Sequence, residues 1–161
     1  MPIRMATLAD IPQLVEGGRR MHALTRFKHF DYNAERVAKA FESLITQGQH
    51  KYVFMVAEGA EQRVVGALIG VLEQHIFSEQ LTASIMHFDV LPEARMGGYG
   101  VRLLKAFERW AENRHVVEIC FGVNSETASI DVGCFAGRLG YSRVGVNYIR
   151  RSKQNSEKMG V

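Results

Sequence analysis

The sequence predicts an α/β (α+β) fold, in which a mixed, mostly antiparallel central sheet of six to seven strands is flanked by about four helices. Up to about residue 47, apolar residues recur at helical spacing. Three successive segments rich in β-forming residues then follow, joined by short polar connections, as is typical of an antiparallel meander. In the remainder, amphipathic helical patterns alternate with short apolar segments, which adds strands and helices to the meander.

The length and composition are those of one globular domain. With 161 residues, of which 47% are hydrophobic and 23% are charged, the chain can bury a core without disulfides or a metal. We therefore expect a single domain over residues 1–161, with 151–161 as a flexible tail.

The first part of the chain predicts a strand and two helices. Residues 3–6 alternate like a strand, and a helix is expected over about 9–24, although Gly17 and Gly18 lower its helix propensity. The aromatic and basic residues 26–32 predict a loop that lines a pocket or covers the core. The second helix begins after Asn33, a favoured N-cap, and ends before Gly48.

The rest of the chain predicts the sheet and two further helices. Pro92 ends the third segment of the meander, because proline has no N–H to donate to a ladder. A helix over about 98–113 and another over about 127–139, ended by Gly140, complete the helical part. The expected strands are the meander segments 52–58, 64–72 and 82–90, then 116–123, and a last strand or hairpin over 141–150.

Several function classes are excluded by the composition. The apolar runs are far shorter than the roughly 20 residues of a membrane span, and the start has no apolar signal-peptide core. The net charge of +3 is dispersed without a basic recognition face, so no nucleic acid partner is expected. Cys120 and Cys134 lack metal-ligand or redox spacing, which predicts buried thiols and no metal site. A cytoplasmic protein is expected.

The most informative motif joins the third meander segment to the following helix. Gly97, Gly98 and Gly100 allow a tight turn and a close approach of a bulky anion to the backbone. The amides at the start of the helix favour a negative charge, and Arg95 adds a charge-assisted contact. A plain glycine-rich turn is the alternative. A P-loop and a dinucleotide-binding fingerprint are excluded, since their lysine and glycine spacings do not occur here.

Arg95-Met96-Gly97-Gly98-Tyr99-Gly100 resembles the Arg/Gln-x-x-Gly-x-Gly/Ala signature of the GCN5-related N-acetyltransferase family (GNAT). The resemblance extends over residues 3–150 in the order βααβββαβαβ. It implies a GNAT-like fold and transfer of acetyl from acetyl-CoA to a primary amine of a small molecule or peptide, by direct attack through a tetrahedral intermediate. The C-terminal strands of this family often pair between subunits, so a homodimer is also expected.

The resemblance also implies a role for particular backbone groups. The main-chain amides of Arg95, Met96, Gly97, Gly98, Tyr99 and Gly100 would hold the pyrophosphate of acetyl-CoA. The edge of strand 84–90 would pair with the pantetheine arm, with the N–H of Phe88 near the thioester carbonyl and Val90 bonded further along the arm. The next strand, 116–123, would diverge and open a cleft for the acyl group.

This sequence departs from the family pattern at the positions of the catalytic acid and the catalytic base. Ala136 stands where many relatives have a tyrosine acid, and Ser84 where some have a glutamate base. His87 is the candidate base, because its pKa suits proton transfer. The alternative is a structural or surface histidine. Strand alternation puts His87 and Asp89 on the face opposite Phe88, and a bulge would re-aim His87.

Other candidates for the acid or base remain open, namely Asp89, Glu73, His75 and Tyr99. Two other functions also remain open: a CoA-binding regulatory module without catalysis, and a protein that binds ATP or a sugar nucleotide through the anion loop alone.

Overall fold

The computed structural model describes residues 2–122, 129–146 and 148–150, with the backbone alone at 129–132. The chain divides into two compact units, Met1–Thr127 and Ala128–Val161. The single-domain expectation is not tested by this division and stays a prediction, and the expected tail 151–161 lies outside the described residues.

The first unit is built on a five-stranded sheet in the order β1-β2-β3-β4-β5. The first three pairings are antiparallel, and β4 and β5 run parallel. This confirms the mixed, mostly antiparallel sheet. The strands are β1 (Ile3–Met5), β2 (Tyr52–Glu58), β3 (Val64–Gln74), β4 (Leu81–Val90) and β5 (Glu118–Phe121).

The expected count of six to seven strands is too high. No strand occurs at 141–146 or 148–150 in the described part of the second unit. Val144, Val146, Tyr148 and Ile149 are all exposed there. A segment with neither a partner strand nor a buried face gains little from extended structure, so β propensity alone misled the prediction.

The four expected helices are present. The first unit holds α1 (Ile11–His22), α2 (Ala34–Thr46) and α3 (Tyr99–Glu112), and the second holds α4 (Ser129–Arg138). The side chain of Asn33 accepts a hydrogen bond from the N–H of Arg36 at 2.9 Å and caps α2 as predicted. Gly140 follows α4 with φ +89°, a conformation that favours glycine. A short 3₁₀ turn, Arg26–His29, interrupts the expected loop.

The two faces of the sheet are covered by different helices. Ala67 and Ile69 of β3 share a core cluster with Leu14 of α1, and Phe41 of α2 packs against it. On the other face, α3 buries a row of side chains against the sheet: Leu103, Leu104, Phe107 and Ala111. A Cβ at Gly70 would lie 2.1 Å from the ring of Phe107, so this glycine lets α3 approach closely.

The glycine pair inside α1 also has a packing reason. A Cβ at Gly18 would lie 2.8 Å from the hydroxyl oxygen of Tyr32. That hydroxyl donates a 2.7 Å hydrogen bond to the carbonyl of Val15. The contact offsets part of the loss in helix propensity that the sequence indicates at this position.

A buried ionic network joins β1, β2 and the turn that precedes α1. Arg4 donates two 2.8 Å hydrogen bonds to Asp10 and a third, of 2.6 Å, to Glu58. Asp10 is only 4% exposed and also accepts from the N–H of Thr7. The Arg4 guanidinium is the main reason that the pKa of Asp10 falls to about 2.

Candidate functional site

One edge of β4 is open along its second half. β4 pairs with β5 only over Thr82–Ile85, and no other strand in the described residues covers the edge from Met86 to Val90. On the opposite edge, the N–H of Leu91 donates to the carbonyl of Val65 at 2.9 Å. Because backbone groups alternate along a strand, the N–H groups of Phe88 and Val90 point away from β3, toward the open edge.

A bulge lies where the pairing with β5 ends. Ile69 of β3 pairs with His87, whereas the next residue, Gly70, pairs with Ile85, so Met86 is an extra residue on β4. Met86 is exposed. A bulge increases the local twist of a strand and re-aims the side chains beside it. The bulge that the sequence allowed for His87 is therefore observed, directly before this residue.

The start of α3 provides unpaired amides beside this edge. A 3₁₀ helix, Pro92–Gly97, precedes it and uses N–H groups within its own turns, such as that of Ala94 on Leu91 at 2.8 Å. The first α-helical bond of α3 runs from the N–H of Arg102 to Gly98, at 3.2 Å. The amides of the helix before Arg102 have no acceptor inside it: those of Tyr99, Gly100 and Val101.

The glycines of the motif have distinct roles. Gly98 has φ +71°, and a Cβ there would meet no described atom within 4 Å. A Cβ at Gly97 would lie 2.6 Å from the ring of Tyr99. A Cβ at Gly100 would meet the side chains of Phe88 at 3.5 Å and Val90 at 3.7 Å, so the start of α3 packs against the side chains of the second half of β4.

The other residues of the motif divide between solvent and core. Met96 is fully exposed, and Tyr99 is buried at the start of α3, where it packs rather than faces solvent. The Nε of Arg95 donates to the carbonyl of Val90 at 3.3 Å. The Arg95 side chain thus lies at the junction of the open edge and the α3 amides.

Glu93 links the motif to two distant elements. Its carboxylate accepts two hydrogen bonds from Arg20 of α1, at 3.0 and 2.9 Å, and one from Arg63, at 2.8 Å. The Arg20 guanidinium is the main reason that the pKa of Glu93 falls to about 2. Sequence reasoning did not find this contact, because Arg20 and Glu93 are 73 residues apart.

His87 and Asp89 form an ion pair on the α1 and α2 face of the sheet, with His87 Nε2 2.5 Å from Asp89 Oδ2. Burial lowers the pKa of His87, but the Asp89 carboxylate raises it by a larger amount, so the net shift of the pKa is upward. The two side chains lie on the face opposite Phe88, as strand alternation predicts.

A second polar group lies where β3, β4 and β5 meet. Ser84 donates a hydrogen bond to the carboxylate of Glu73, and Cys120, directly across from Ser84, donates to Glu118 at 3.1 Å. Burial, with the acidic neighbours, raises the pKa of the Cys120 thiol to about 11, so it stays protonated at neutral pH. The Glu73 carboxylate therefore reaches the β4 position where the family pattern has a glutamate.

The structure brings together most of the predicted site residues. Phe88, Val90, Arg95, Gly98 and Gly100 meet at the junction of the open edge and α3. The amides before Gly98 belong to the 3₁₀ helix, so the unpaired amides lie later in the motif than expected and include the unpredicted Val101. The rule that the first N–H groups of a helix lack partners could have found it.

The remaining candidates lie apart from this junction. His75 stacks on Phe77 in the turn between β3 and β4. Cys134 is exposed in the second unit and Cys120 is only partly buried, so the expectation of two buried thiols is wrong. Ala136, at the expected tyrosine position, lies in α4.

Neither a metal centre nor a membrane helix is evident in the described part of the chain. No three His, Cys, Asp or Glu side chains there come together as metal ligands. None of the helices described is both long enough and apolar enough to cross a bilayer.

Comparison with known proteins gives a family and a set of similar structures. A model of the acetyltransferase (GNAT) family matches residues 19–141. Comparison with curated proteins gave no match. A crystal structure described as a probable acetyltransferase has a TM-score of 0.75 and 18% identity, and the match covers 95% of this chain and 99% of the other.

Two aminoglycoside acetyltransferases also share the fold. The 6'-N-acetyltransferase AAC(6')-Ih from Acinetobacter baumannii has a TM-score of 0.68 and 17% identity, over 94% of this chain and 97% of the other. The enzyme meta-AAC0020, from an uncultured soil metagenomic sample and in complex with sisomicin, has a TM-score of 0.67 and 19% identity, over 94% and 96%. At these identities the likeness is one of fold.

Proposed function

Because the chain belongs to the acetyltransferase (GNAT) family, we propose that it transfers acetyl from acetyl-CoA to a primary amine of a small molecule or peptide, by direct attack of the amine. The observation that carries this proposal is the proximity of two sets of backbone donors that have no partner among the described residues. The outward N–H groups of Phe88 and Val90 lie on the open edge of β4, and the unpaired amides of α3 begin beside them.

The residues present fit a CoA thioester. A diphosphate carries a compact negative charge, which unpaired amides at a helix start favour. The open space beside Gly98 admits a bulky group, because no described side chain fills it. The pantetheine arm carries amide groups, which pair with an exposed strand edge as an added strand does. Arg95 places a cation beside the open edge, because its Nε donates to the Val90 carbonyl.

When bound, acetyl-CoA supplies an activated acyl group. The N–H of Phe88 is held by the strand and points toward the open edge of β4. This donor can therefore bind an oxygen that gains negative charge, and the backbone does not have to reorganise first. Holding the amine and the acyl carbon at attack distance supplies much of the remaining acceleration. We assign His87, 41% exposed and beside the bulge, as the group that accepts the proton of the amine.

The acceptor is a primary amine, and its identity is open within that class. The aminoglycoside acetyltransferases among the similar structures make amino sugars one class worth testing. The carboxylates of Glu73 and Asp89 lie on the same face of the sheet as His87 and favour a cationic acceptor.

A thiol-release assay tests the proposed function. The protein is incubated with acetyl-CoA and a panel of polyamines, amino sugars, amino acids and peptides. Amine-dependent release of CoA with at least one member is the expected result. A parallel thermal-shift series with CoA and ATP tests the ligand, since a ligand at 100 times its Kd adds about 2.7 kcal/mol of stability.

Two results would contradict the proposal. Stabilisation by CoA without thiol release from any amine would indicate a non-catalytic CoA-binding module. Stabilisation by ATP but not by CoA would show that the α3 amides serve another phosphate ligand.

A further inference from the structure

Asp89 is a buried carboxylate whose closest charged neighbour is His87. The side chain of Asp89 is 11% exposed and that of His87 is 41% exposed, so the pair reaches from the interior to the surface. Both residues pair with β3, His87 with Ile69 and Asp89 with Ala67, and therefore lie on the same face. The imidazole is the outer member of the pair and the carboxylate the inner one.

The surroundings of the pair hold few other ionisable groups. A cavity of about 20 Å³, enough for about one water molecule, separates the pair from Gly17 and Gly18 of α1. On another element, the charge of Asp89 acts electrostatically on Tyr32, as do the charges of Arg19 and Glu16 of α1. Tyr32 donates to Val15, and burial raises its pKa, so it is uncharged at neutral pH. Among the described residues, the charge that acts on His87 is that of Asp89.

The contact is short, but it is not aligned as a hydrogen bond. Asp89 Oδ2 is buried, and no described donor points along a hydrogen-bond direction to it, although His87 Nε2 is 2.5 Å away. A buried carboxylate without a partner is costly. The proximity of the imidazole offsets that cost best when its Nε2 carries hydrogen, which leaves Nδ1 to accept a proton.

We propose that Asp89 is a positioning residue that holds the hydrogen of His87 on Nε2, leaves Nδ1 as the proton acceptor, and so sets the pH below which acyl transfer fails. This inference rests on the proposed function. In the step, the amine lone pair forms the C–N bond and its proton moves to Nδ1. The C–S bond breaks, its electron pair leaves with the CoA sulfur, and the proton on His87 passes to water.

The pH profile of kcat/KM tests the pair in the folded enzyme. In the wild type, kcat/KM falls as the pH drops through the raised pKa of His87. Asp89→Asn keeps the shape but removes the charge, so only the lowering effect of burial remains. The acidic limb is then expected to move toward lower pH by about one unit, with a lower plateau. A limb that stays at the wild-type pH would overturn the proposal.

Glu118→Gln is the matched control. It removes one carboxylate from the same sheet, on β5, in contact with Cys120 rather than His87. The acidic limb of the kcat/KM profile of this variant is expected at the same pH as in the wild type. An equal shift in Glu118→Gln and Asp89→Asn would show that net charge, and not the pair, moves the limb, and would overturn the inference.

An NMR titration of the His87 imidazole gives a readout that does not need turnover. In the wild type, His87 is expected to titrate above the 6.5 of an isolated imidazole, and in Asp89→Asn lower than in the wild type. A wild-type value at or below 6.5 would overturn the pairing, even if Asp89→Asn does not fold. If the wild type releases no thiol with any amine, the proposed function fails, while this titration still tests the pair.

Discussion

Phe88 contributes a backbone N–H donor, which substitution by proline removes. Its N–H points away from β3, so Phe88→Pro deletes the donor without breaking a bond of the β3–β4 ladder. Phe88→Ala deletes the ring that packs near Gly100 but keeps the N–H. We expect Phe88→Pro to lower kcat by about 100-fold more than Phe88→Ala, as loss of one oxyanion donor does.

The comparison is made at saturating acetyl-CoA, with melting curves recorded for both variants. If the two variants lose the same activity at similar melting temperature, the Phe88 N–H has no part in the reaction.

At single residues, the sequence predicted the backbone groups better than the side-chain contacts. The family resemblance, and not the strand pattern, indicated the N–H groups of Phe88 and Val90, which point toward the open edge of β4. The ion pair of His87 with Asp89 also follows from i, i+2 spacing on a strand. The salt bridges of Glu93 could not be predicted, because they depend on how α1 packs beside the motif.

Among the elements, the 3₁₀ helix Pro92–Gly97 is held by Arg20 and Arg63, which bind its residue Glu93. Glu93→Gln removes the charge that binds Arg20 and Arg63 and should leave the 3₁₀ helix less fixed in front of α3. These pairs are exposed, so the effect is small: we expect CoA affinity to fall by a factor of about two to five. Isothermal titration calorimetry with CoA measures it.

Glu16→Gln serves as the control for Glu93→Gln, since Glu16 pairs with Arg19 on the exposed side of α1. Its CoA affinity should equal that of the wild type. Equal affinities in all three proteins would mean that Glu93 does not fix the motif.

The Arg4–Asp10–Glu58 network joins elements far from the candidate site. The pKa of Asp10 is about 2 in the folded chain and 3.8 in a model compound. The lowered pKa contributes stability that is present above about pH 4 and is lost as the pH falls through about 2. Asp10→Asn should therefore lower the free energy of unfolding by about 2 kcal/mol at neutral pH.

Urea unfolding at about pH 7, 4 and 2.5 measures this difference, which should shrink at the lowest pH. Glu35→Gln is the control, because the Glu35–Lys39 pair is exposed. Its effect should be below about 0.5 kcal/mol. A pH-independent difference for Asp10→Asn would contradict the assigned cause.

Elements with a strong apolar period were predicted within a few residues. The meander and the three helices of the first unit all have a face that packs, so their patterns reflect real burial. The prediction of a last strand was wrong because the β-forming residues described at 141–146 and 148–150, such as Val144 and Tyr148, are exposed. The sequence allowed for a bulge near His87 but could not locate it at Met86, since register depends on the partner strand.

At the scale of the whole molecule, the sheet separates the proposed anion site from the proposed proton acceptor. One face holds α3, whose first amides we propose as the anion site, and the other face holds the His87–Asp89 pair. The open edge of β4 lies between them. A homodimer and a cytoplasmic location remain predictions from the sequence.

CoA binding by two variants of Gly98 tests the central claim most directly, because the claim is that the α3 amides hold a diphosphate. Both Asp and Asn tolerate the φ of +71° at this position, and a Cβ there meets no described atom. Gly98→Asp adds a negative charge beside the amides, whereas Gly98→Asn adds similar bulk alone. Calorimetry should show CoA binding at least about tenfold weaker in Gly98→Asp than in Gly98→Asn. Equal affinity in the two variants would contradict the claim.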